Sequence, residues 1–342
     1  MTDPNHPQPV PPALDCWYLT GPTAAGKTAV GVELARQIQA EIVSLDSMAL
    51  YQGMDIGTAK PAAEDRRRVP HHLLDLVPPT EDFSLSEYID AAHAAIADIR
   101  SRGKQVLFVG GTPLYLKALL RGVYQGPPAD WQFRTEIEAE LKTLPVAALH
   151  QRLEVIDPLL AAKLHPHDKR RIIRGLEVFR LTGKRLSHLQ TQFDDSQPAA
   201  RLKVFVLSWP REALHLRIDA RVEQMFAAGL VEEVRGLLGK HGRLSRTARQ
   251  AVGYGEVVEL LEGQGVSGAG LGAVGSALRG VPGSASTPPP ELAACIEQVK
   301  IRTRQFARRQ ETWFRSLREC RLVPMLEGPT PAAVAQTILD LS

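Results

Sequence analysis

Only three of the 342 residues are cysteine, Cys16, Cys295 and Cys320, and none lies within Cys-x-x-Cys spacing of another. A disulfide framework and a thiolate zinc site are excluded, and the three read as reduced core thiols. No stretch approaches the roughly 20 apolar residues needed to span a bilayer. The opening MTDPNHPQPVPPAL has neither a cationic start nor an apolar run, so it is not a secretory signal, and its prolines predict a disordered tail over 1–14. The expectation is a soluble, cytoplasmic protein. Excess charge of one sign is also lacking. Lys and Arg number 41 against 38 Asp and Glu, a net +3, so a polyanionic partner must be argued from where basic residues cluster rather than from their sum. At 44% hydrophobic and 23% charged the composition is ordinary and selects no function. The length suits one large core with an insertion, or two domains.

What is present is an alternation of apolar runs and helical periodicities. Cys16–Thr20, Glu41–Leu45, Gln105–Val109 and Leu202–Leu207 read as strands. Lys27–Gln39, Asp90–Arg102, Glu212–Leu238 and Glu291–Arg318 read as helices. Strands alternating with helices imply an α/β fold, a parallel sheet core of the P-loop type flanked by helices. Gln125–Gln192 has helical patterns and no strand pattern, which predicts a helical insertion domain over 125–199, within a core formed by 15–124 and 200–325. Residues 263–290 are rich in Gly, Ala, Ser and Pro and read as a flexible linker.

Gly21-Pro-Thr-Ala-Ala-Gly-Lys-Thr28 fits G-x-x-x-x-G-K-[ST] and lies between a strand and a helix, the context that motif needs. Backbone N–H groups of such a loop cradle phosphate oxygens, Lys27 supplies a point charge, and the Thr28 hydroxyl can hold Mg²⁺. ATP-hydrolysing loops of this kind work with an acidic residue at the end of a second apolar strand. Here Val106-Leu-Phe-Val109 ends in Gly110-Gly111-Thr112 instead. The loop therefore binds a phosphate group, while the case for ATP hydrolysis is weak. The remaining carboxylate is Asp46, in Ser44-Leu-Asp-Ser47, at the carboxyl end of a strand where ligands of open α/β sheets bind. It is either a turn cap or a general base acting on a nucleophile beside a diphosphate.

Five segments occur in the order seen in bacterial tRNA dimethylallyltransferases, and the chain resembles that family. They are Gly21–Thr28, Ser44–Ser47, Tyr51-Gln-Gly-Met-Asp-Ile-Gly-Thr-Ala-Lys-Pro61, His71-His-Leu-Leu-Asp75 and Gly110-Gly-Thr112. The likeness continues through Asp168-Lys-Arg-Arg-Ile-Ile-Arg-Gly-Leu-Glu177, Gln250-Ala-Val-Gly-Tyr254 and Arg304-Gln-Phe-Ala-Arg-Arg-Gln310. The resemblance implies transfer of a dimethylallyl group from dimethylallyl diphosphate to N6 of adenosine 37 in tRNAs that read codons beginning with U. It implies that Gly21, Thr23, Ala24, Ala25, Gly26, Lys27 and Thr28 grip the diphosphate with Mg²⁺, and that Asp46 takes the N6 proton. Thr112 would lie near the bridging oxygen of the leaving group. Arg217 and Arg221 are either further diphosphate contacts or a solvated helix face. For the tRNA anticodon stem-loop it implies contacts from Asp46, Ser47, Met48, Ala49, Thr112, Arg134, Arg170, Arg171, Ile172, Ile173, Arg174, Arg249, Gly253 and Tyr254. The clusters Lys169–Arg174 and Lys300, Arg302, Arg304, Arg308, Arg309 suit phosphate backbone.

The chain departs from the family pattern at the long 263–290 segment, at Gly175, where Ala is common, and at Gly255, where Lys or Arg is common. No Cys/His zinc finger follows the last basic helix, which points away from the eukaryotic form. A monomer is expected. The alternative reading is a small-molecule kinase, which shares the phosphate loop but has no use for Asp55–Pro61. A non-enzymatic RNA-binding protein would leave Lys27, Thr28 and Asp46 without a use.

Overall fold

A computed structural model describes residues 10–124, 126–190, 202–263, 288–326 and 328–342. The segment 264–287, which makes up most of the expected linker, lies outside the described residues, as do the first nine residues of the expected tail. The described chain falls into two compact units. One comprises residues within Met1–Pro12 and Lys117–Ser196, the other residues within Ala13–Leu116 and Gln197–Ser342.

The larger unit is built on a six-stranded, wholly parallel sheet. Its strands are β1 (Trp17–Thr20), β2 (Ala40–Ser44), β3 (His71–His72), β4 (Gln105–Val109), β5 (Lys203–Ser208) and β6 (Arg321–Pro324), in the order β3-β2-β4-β1-β5-β6. β1 and β2 are buried along their whole length, as continuous apolar runs in a sheet covered on both faces must be. On one face Trp17, Leu19, Ile42, Leu107, Phe205 and Leu207 pack against α1 (Lys27–Gln37) and α15 (Pro331–Asp340). Tyr18 stacks on Phe108. Tyr88 of α3 (Leu85–Ser101) donates its hydroxyl to Ser44 O at 2.9 Å. A capping box starts α3: Glu87 N donates to Ser84 Oγ, and Ser84 N to the Glu87 carboxylate.

A second core holds α10 (Arg211–Ala227), α11 (Leu230–His241), α13 (Tyr254–Gly263) and α14 (Pro290–Ser316) together, with Tyr51 and Met54 of the 51–61 loop buried among them. The single helix expected over Glu212–Leu238 is two. Gly229 adopts φ 101°, a left-handed conformation that ends one helix and starts the next. The sequence reading also missed β3, β6 and α15.

The smaller unit is helical, as the pattern of Gln125–Gln192 predicts: α5 (Trp131–Glu140), α6 (Val146–Ile156), α7 (Pro158–Lys163), α8 (Lys169–Thr182) and α9 (Leu186–Leu189). Its core comprises Ile137, Leu149, Leu153, Ala161, Leu164, Ile172, Ile173 and Leu176. A Cβ on Gly175 would stand 2.7 Å from Leu160 Cδ2 and 2.8 Å from Leu153 Cδ1. Glycine there lets α8 approach its neighbours closely. Val10 N, inside the stretch expected to be a tail, donates to Val123 O at 3.3 Å.

Candidate active site

Register brings the candidate residues to one edge. Leu19 aligns with Val109 and Val109 with Ser44, so the chain leaves β1, β4 and β2 side by side at their carboxyl ends. Gly21–Thr28, Gly110–Thr112 and Leu45–Ala49 follow. This is the edge at which open parallel sheets bind ligands.

Backbone strain shapes the phosphate loop. Ala24 lies at φ 63° and Gly26 at φ 91°, so successive peptide groups turn inward before α1 begins at Lys27. The loop is braced from α10 and from Trp209, two residues before it. Arg217 Nε donates to Ala24 O at 2.9 Å, Trp209 Nε1 to Ala25 O at 3.0 Å, and the Arg217 guanidinium lies 4.3 Å from the Trp209 ring centre. Lys27 Nζ donates to Gly21 O and Pro22 O, at 3.0 and 2.7 Å. Burial, reinforced by the charge of Arg221 and opposed by Asp46, pulls the Lys27 ammonium down to about 7. Burial also lowers Arg217 and Arg221, the latter again opposed by Asp46. Lys27, Arg221 and Asp46 thus act on one another electrostatically beside an inward-turned loop whose geometry suits an anion.

The Asp46 turn is tied to the turn after β4. Thr112 N donates to Leu45 O at 3.1 Å, and Ser47 N donates to Thr112 Oγ1 at 3.0 Å, one bond on each side of Asp46. Asp46 Oδ1 accepts from Met48 N at 2.8 Å, which is the turn cap considered from sequence, while Oδ2 takes part in no hydrogen bond among the described residues. The cap leaves Oδ2 available, so it is compatible with the proton-accepting role expected of Asp46. A Cβ at Gly110 would lie 2.2 Å from Leu45 O, so only glycine permits this approach. Ala49 is buried and its carbonyl accepts from Asp75 N.

For Mg²⁺ the available donors are hard oxygens: the Thr28 hydroxyl, which no hydrogen bond engages among the described residues, and Asp46. No group of three or more His, Cys, Asp or Glu side chains is arranged for a metal among the described residues. This set fits a cation held by one or two protein oxygens and completed by phosphate and water, the usual state of Mg²⁺.

The 51–61 loop has a structural explanation that its sequence did not reveal. Lys60, its side chain 2% exposed, pairs with Asp55 at 2.7 Å and Asp75 at 2.5 Å and donates to Tyr51 O. Glu233 of α11 accepts from Asp55 N and Ile56 N at 3.0 and 2.8 Å and from the Tyr254 hydroxyl at 2.5 Å. Tyr254, expected at the RNA surface, is therefore buried beneath this loop, and Gly253 N donates to Glu256.

The basic clusters divide. Arg134 and Arg174 both bind Glu177, which is 0% exposed, at 2.7 and 2.5 Å, and Asp130 N donates to the same carboxylate. Burial acts to raise Glu177, but those donors outweigh it and the carboxyl ends below its ordinary value. Arg171 pairs with its own helix cap Asp168 and is 68% exposed, and Arg170 is exposed. The Ile172 and Ile173 side chains lie in the core. Arg249 forms a two-pronged pair with Glu262. On α14, Lys300, Arg302 and Arg304 pair with Glu223, Glu256 and Asp219, whereas Arg308 and Arg309 are exposed and form no ion pair among the described residues. A Cβ on Gly255 would meet Arg249 O at 2.7 Å.

Among the described residues no helix is long and apolar enough to cross a membrane. The IPP transferase family profile matches residues 49–317. The chain is 46% identical over 340 residues to the tRNA dimethylallyltransferase of Rhodopirellula baltica, covering 97% of this chain and 94% of that one. It is 42% identical to the Geobacter metallireducens protein of the same name, over 86% and 87% of the two chains. The crystal structure of the Bacillus halodurans tRNA isopentenylpyrophosphate transferase is similar with a TM-score of 0.63 at 34% identity, covering 96% of this chain and 95% of that one. A eukaryotic dimethylallyltransferase seen acting on tRNA gives 0.68 at 25% identity, over 91% of this chain and 74% of that one. The chain belongs to the IPP transferase family.

Proposed function

We propose that this chain transfers a dimethylallyl group from dimethylallyl diphosphate to N6 of adenosine 37 in tRNAs reading codons that begin with U, as a cytoplasmic monomer. The observation that carries the reading is the convergence, at the carboxyl edge of β1, β2 and β4, of an anion-binding loop with a carboxylate and a hydroxyl where a nucleotide hydrolase would place a metal-binding acid. The relatives' names agree with it, and none favours a kinase.

In this reading the diphosphate lies along Gly21–Thr28 with Lys27, Arg217 and Arg221 around it. Thr28 would hold Mg²⁺, which would supply charge neutralisation for the leaving diphosphate. The adenine leaves the stack of an unpaired anticodon loop, at a cost of a few kcal/mol. Its N6 attacks the allylic carbon as the carbon–oxygen bond to the diphosphate breaks. The N6 proton passes to Asp46, and Thr112 donates near the bridging oxygen. An exocyclic amine is a poor nucleophile, so proton removal by a positioned carboxylate contributes about 10²–10⁴-fold.

Asp46→Asn tests this assignment. It keeps the Met48 cap and removes proton acceptance, so single-turnover transfer should fall by about 10²–10⁴-fold while both substrates bind. Restoration of the rate by excess Mg²⁺ would make Asp46 a metal ligand instead. A near-normal rate with stability reduced by about 1 kcal/mol would make it only a cap.

A further inference from the structure

We propose that Gln310 is a positioning residue that fixes the phosphate loop against the Gly110–Thr112 turn, setting the spacing between the diphosphate and the residues that act on the adenine. Gln310 is 3% exposed. Its Oε1 accepts from Thr23 N at 2.9 Å, and its Nε2 donates to Gly111 O at 2.6 Å. The partners dictate the orientation of the amide: a peptide N–H can only donate and a peptide carbonyl can only accept, so the oxygen must face Thr23 and the nitrogen Gly111. A carboxylate would place an oxygen against the Gly111 carbonyl. A cation would offer Thr23 no acceptor.

The bridge completes a hydrogen-bonded path. Thr23 is joined through Gln310 to Gly111, the adjoining Thr112 joins Ser47 and Leu45, and Asp46 lies between those two. A Cβ on Gly111 would stand 2.7 Å from Gln310 Nε2 and 3.4 Å from Lys27 Nζ, so the amide and the ammonium both crowd the side of Gly111 that a side chain would occupy. The bridge is anchored from outside the site. About two and three turns back along α14, Arg304 holds Asp219 of α10 at 2.6 Å and Lys300 holds Glu223 at 2.8 Å. α10 is the helix whose Arg217 braces Ala24. The phosphate loop is thus gripped by two mutually fixed helices, at Ala24 by one and at Thr23 by the other. Gln310 touches no reacting atom in this arrangement. It acts through the loops, where a displacement of about 1 Å can cost on the order of 10²-fold in rate.

The proposal rests on the diphosphate-transfer reading, and two measurements keep them separable. The first is binding of inorganic pyrophosphate with Mg²⁺ to the full chain, for wild type, Gln310→Met and Gln310→Glu. The second is steady-state transfer from dimethylallyl diphosphate to unmodified tRNA, read well below the melting temperature of each variant. Gln310→Met keeps length and loses both bonds, whereas Gln310→Glu keeps the acceptor and loses the donor. The expected result is pyrophosphate affinity weakened about tenfold in Gln310→Met and kcat lowered about 10–100-fold, with KM for tRNA within twofold of wild type. Gln310→Glu should also be impaired in kcat, because the Gly111 tie is lost. Variants that melt earlier but keep kcat, both KM values and pyrophosphate affinity within twofold would overturn the proposal, reducing Gln310 to a stabilising contact. If Gln310→Met does not fold, Gln310→Glu decides by the same criteria. A wild type that binds pyrophosphate but transfers nothing would refute the transfer reading, while a tenfold loss in the variants would still support the bridge.

Discussion

Lys27 lies in an environment that opposes its charge. Burial and Arg221 hold it at about 7, whereas an unfolded chain would release that proton near 10.5. Between those values the unfolded state binds more protons, so stability rises with pH across that window, and the cost of the charged side chain is fully present below about pH 7. Lys27→Met should therefore be more stable than wild type below pH 7, with the difference shrinking toward pH 10. Paired chemical-denaturation curves across that range would check it. A bound diphosphate reverses the balance by favouring the ammonium, so binding above pH 7 should take up protons. Calorimetry in buffers of differing ionisation enthalpy would reveal the uptake, and its absence at pH 8 would show that Lys27 is charged before the ligand arrives. Two arginines of the smaller unit should behave differently. Arg171→Ala removes an exposed charge and should lower the salt slope of tRNA binding by about one with stability unchanged. Arg174→Ala leaves buried Glu177 short of a partner and should also cost about 1–3 kcal/mol of stability in urea unfolding.

At the scale of elements, the 51–61 loop is a clamp. Gly57 packs against Tyr254 so closely that a Cβ would lie 2.4 Å from its ring, so Gly57→Ala should destabilise by about 1–3 kcal/mol through overpacking, measured as a lowered melting temperature. The same elements show what the sequence could reveal. The long parallel strands were legible because a strand buried on both faces reads as an unbroken apolar run, and the phosphate loop because its glycines fall at fixed offsets. β3 is two residues long and β6 has an alternating, half-exposed pattern, so neither produced a run. Gly229 was hidden because one glycine inside an amphipathic stretch reads as a tolerated defect until its φ is known. Asp46 and Thr112 were visible as ends of strands, whereas Glu233 and Gln310 were not. Each acts across 170 or more residues of sequence, Glu233 on the 55–57 peptides and Gln310 on Thr23 and Gly111, and no local spacing encodes such a contact. The basic clusters were visible as charge, but sequence could not tell that Arg134 and Arg174 are occupied by Glu177 and Lys300–Arg304 by acids of neighbouring helices.

For the whole molecule, division of labour is the expectation: diphosphate at the carboxyl edge of the sheet, tRNA on exposed arginines such as Arg170, Arg171, Arg308 and Arg309. Chelation of divalent cations should accordingly abolish transfer while leaving tRNA affinity within about twofold in a filter-binding assay, since counterion release by Lys and Arg governs that affinity. The most direct test of the central claim is a single incubation of the full chain with unmodified tRNA, Mg²⁺, dimethylallyl diphosphate labelled in its isoprenoid carbon and ATP labelled in its terminal phosphate. The account predicts isoprenoid label on an adenosine of the tRNA, stoichiometric release of diphosphate and no phosphoryl label on any acceptor. Phosphoryl label on an acceptor, with the tRNA free of isoprenoid, would contradict it.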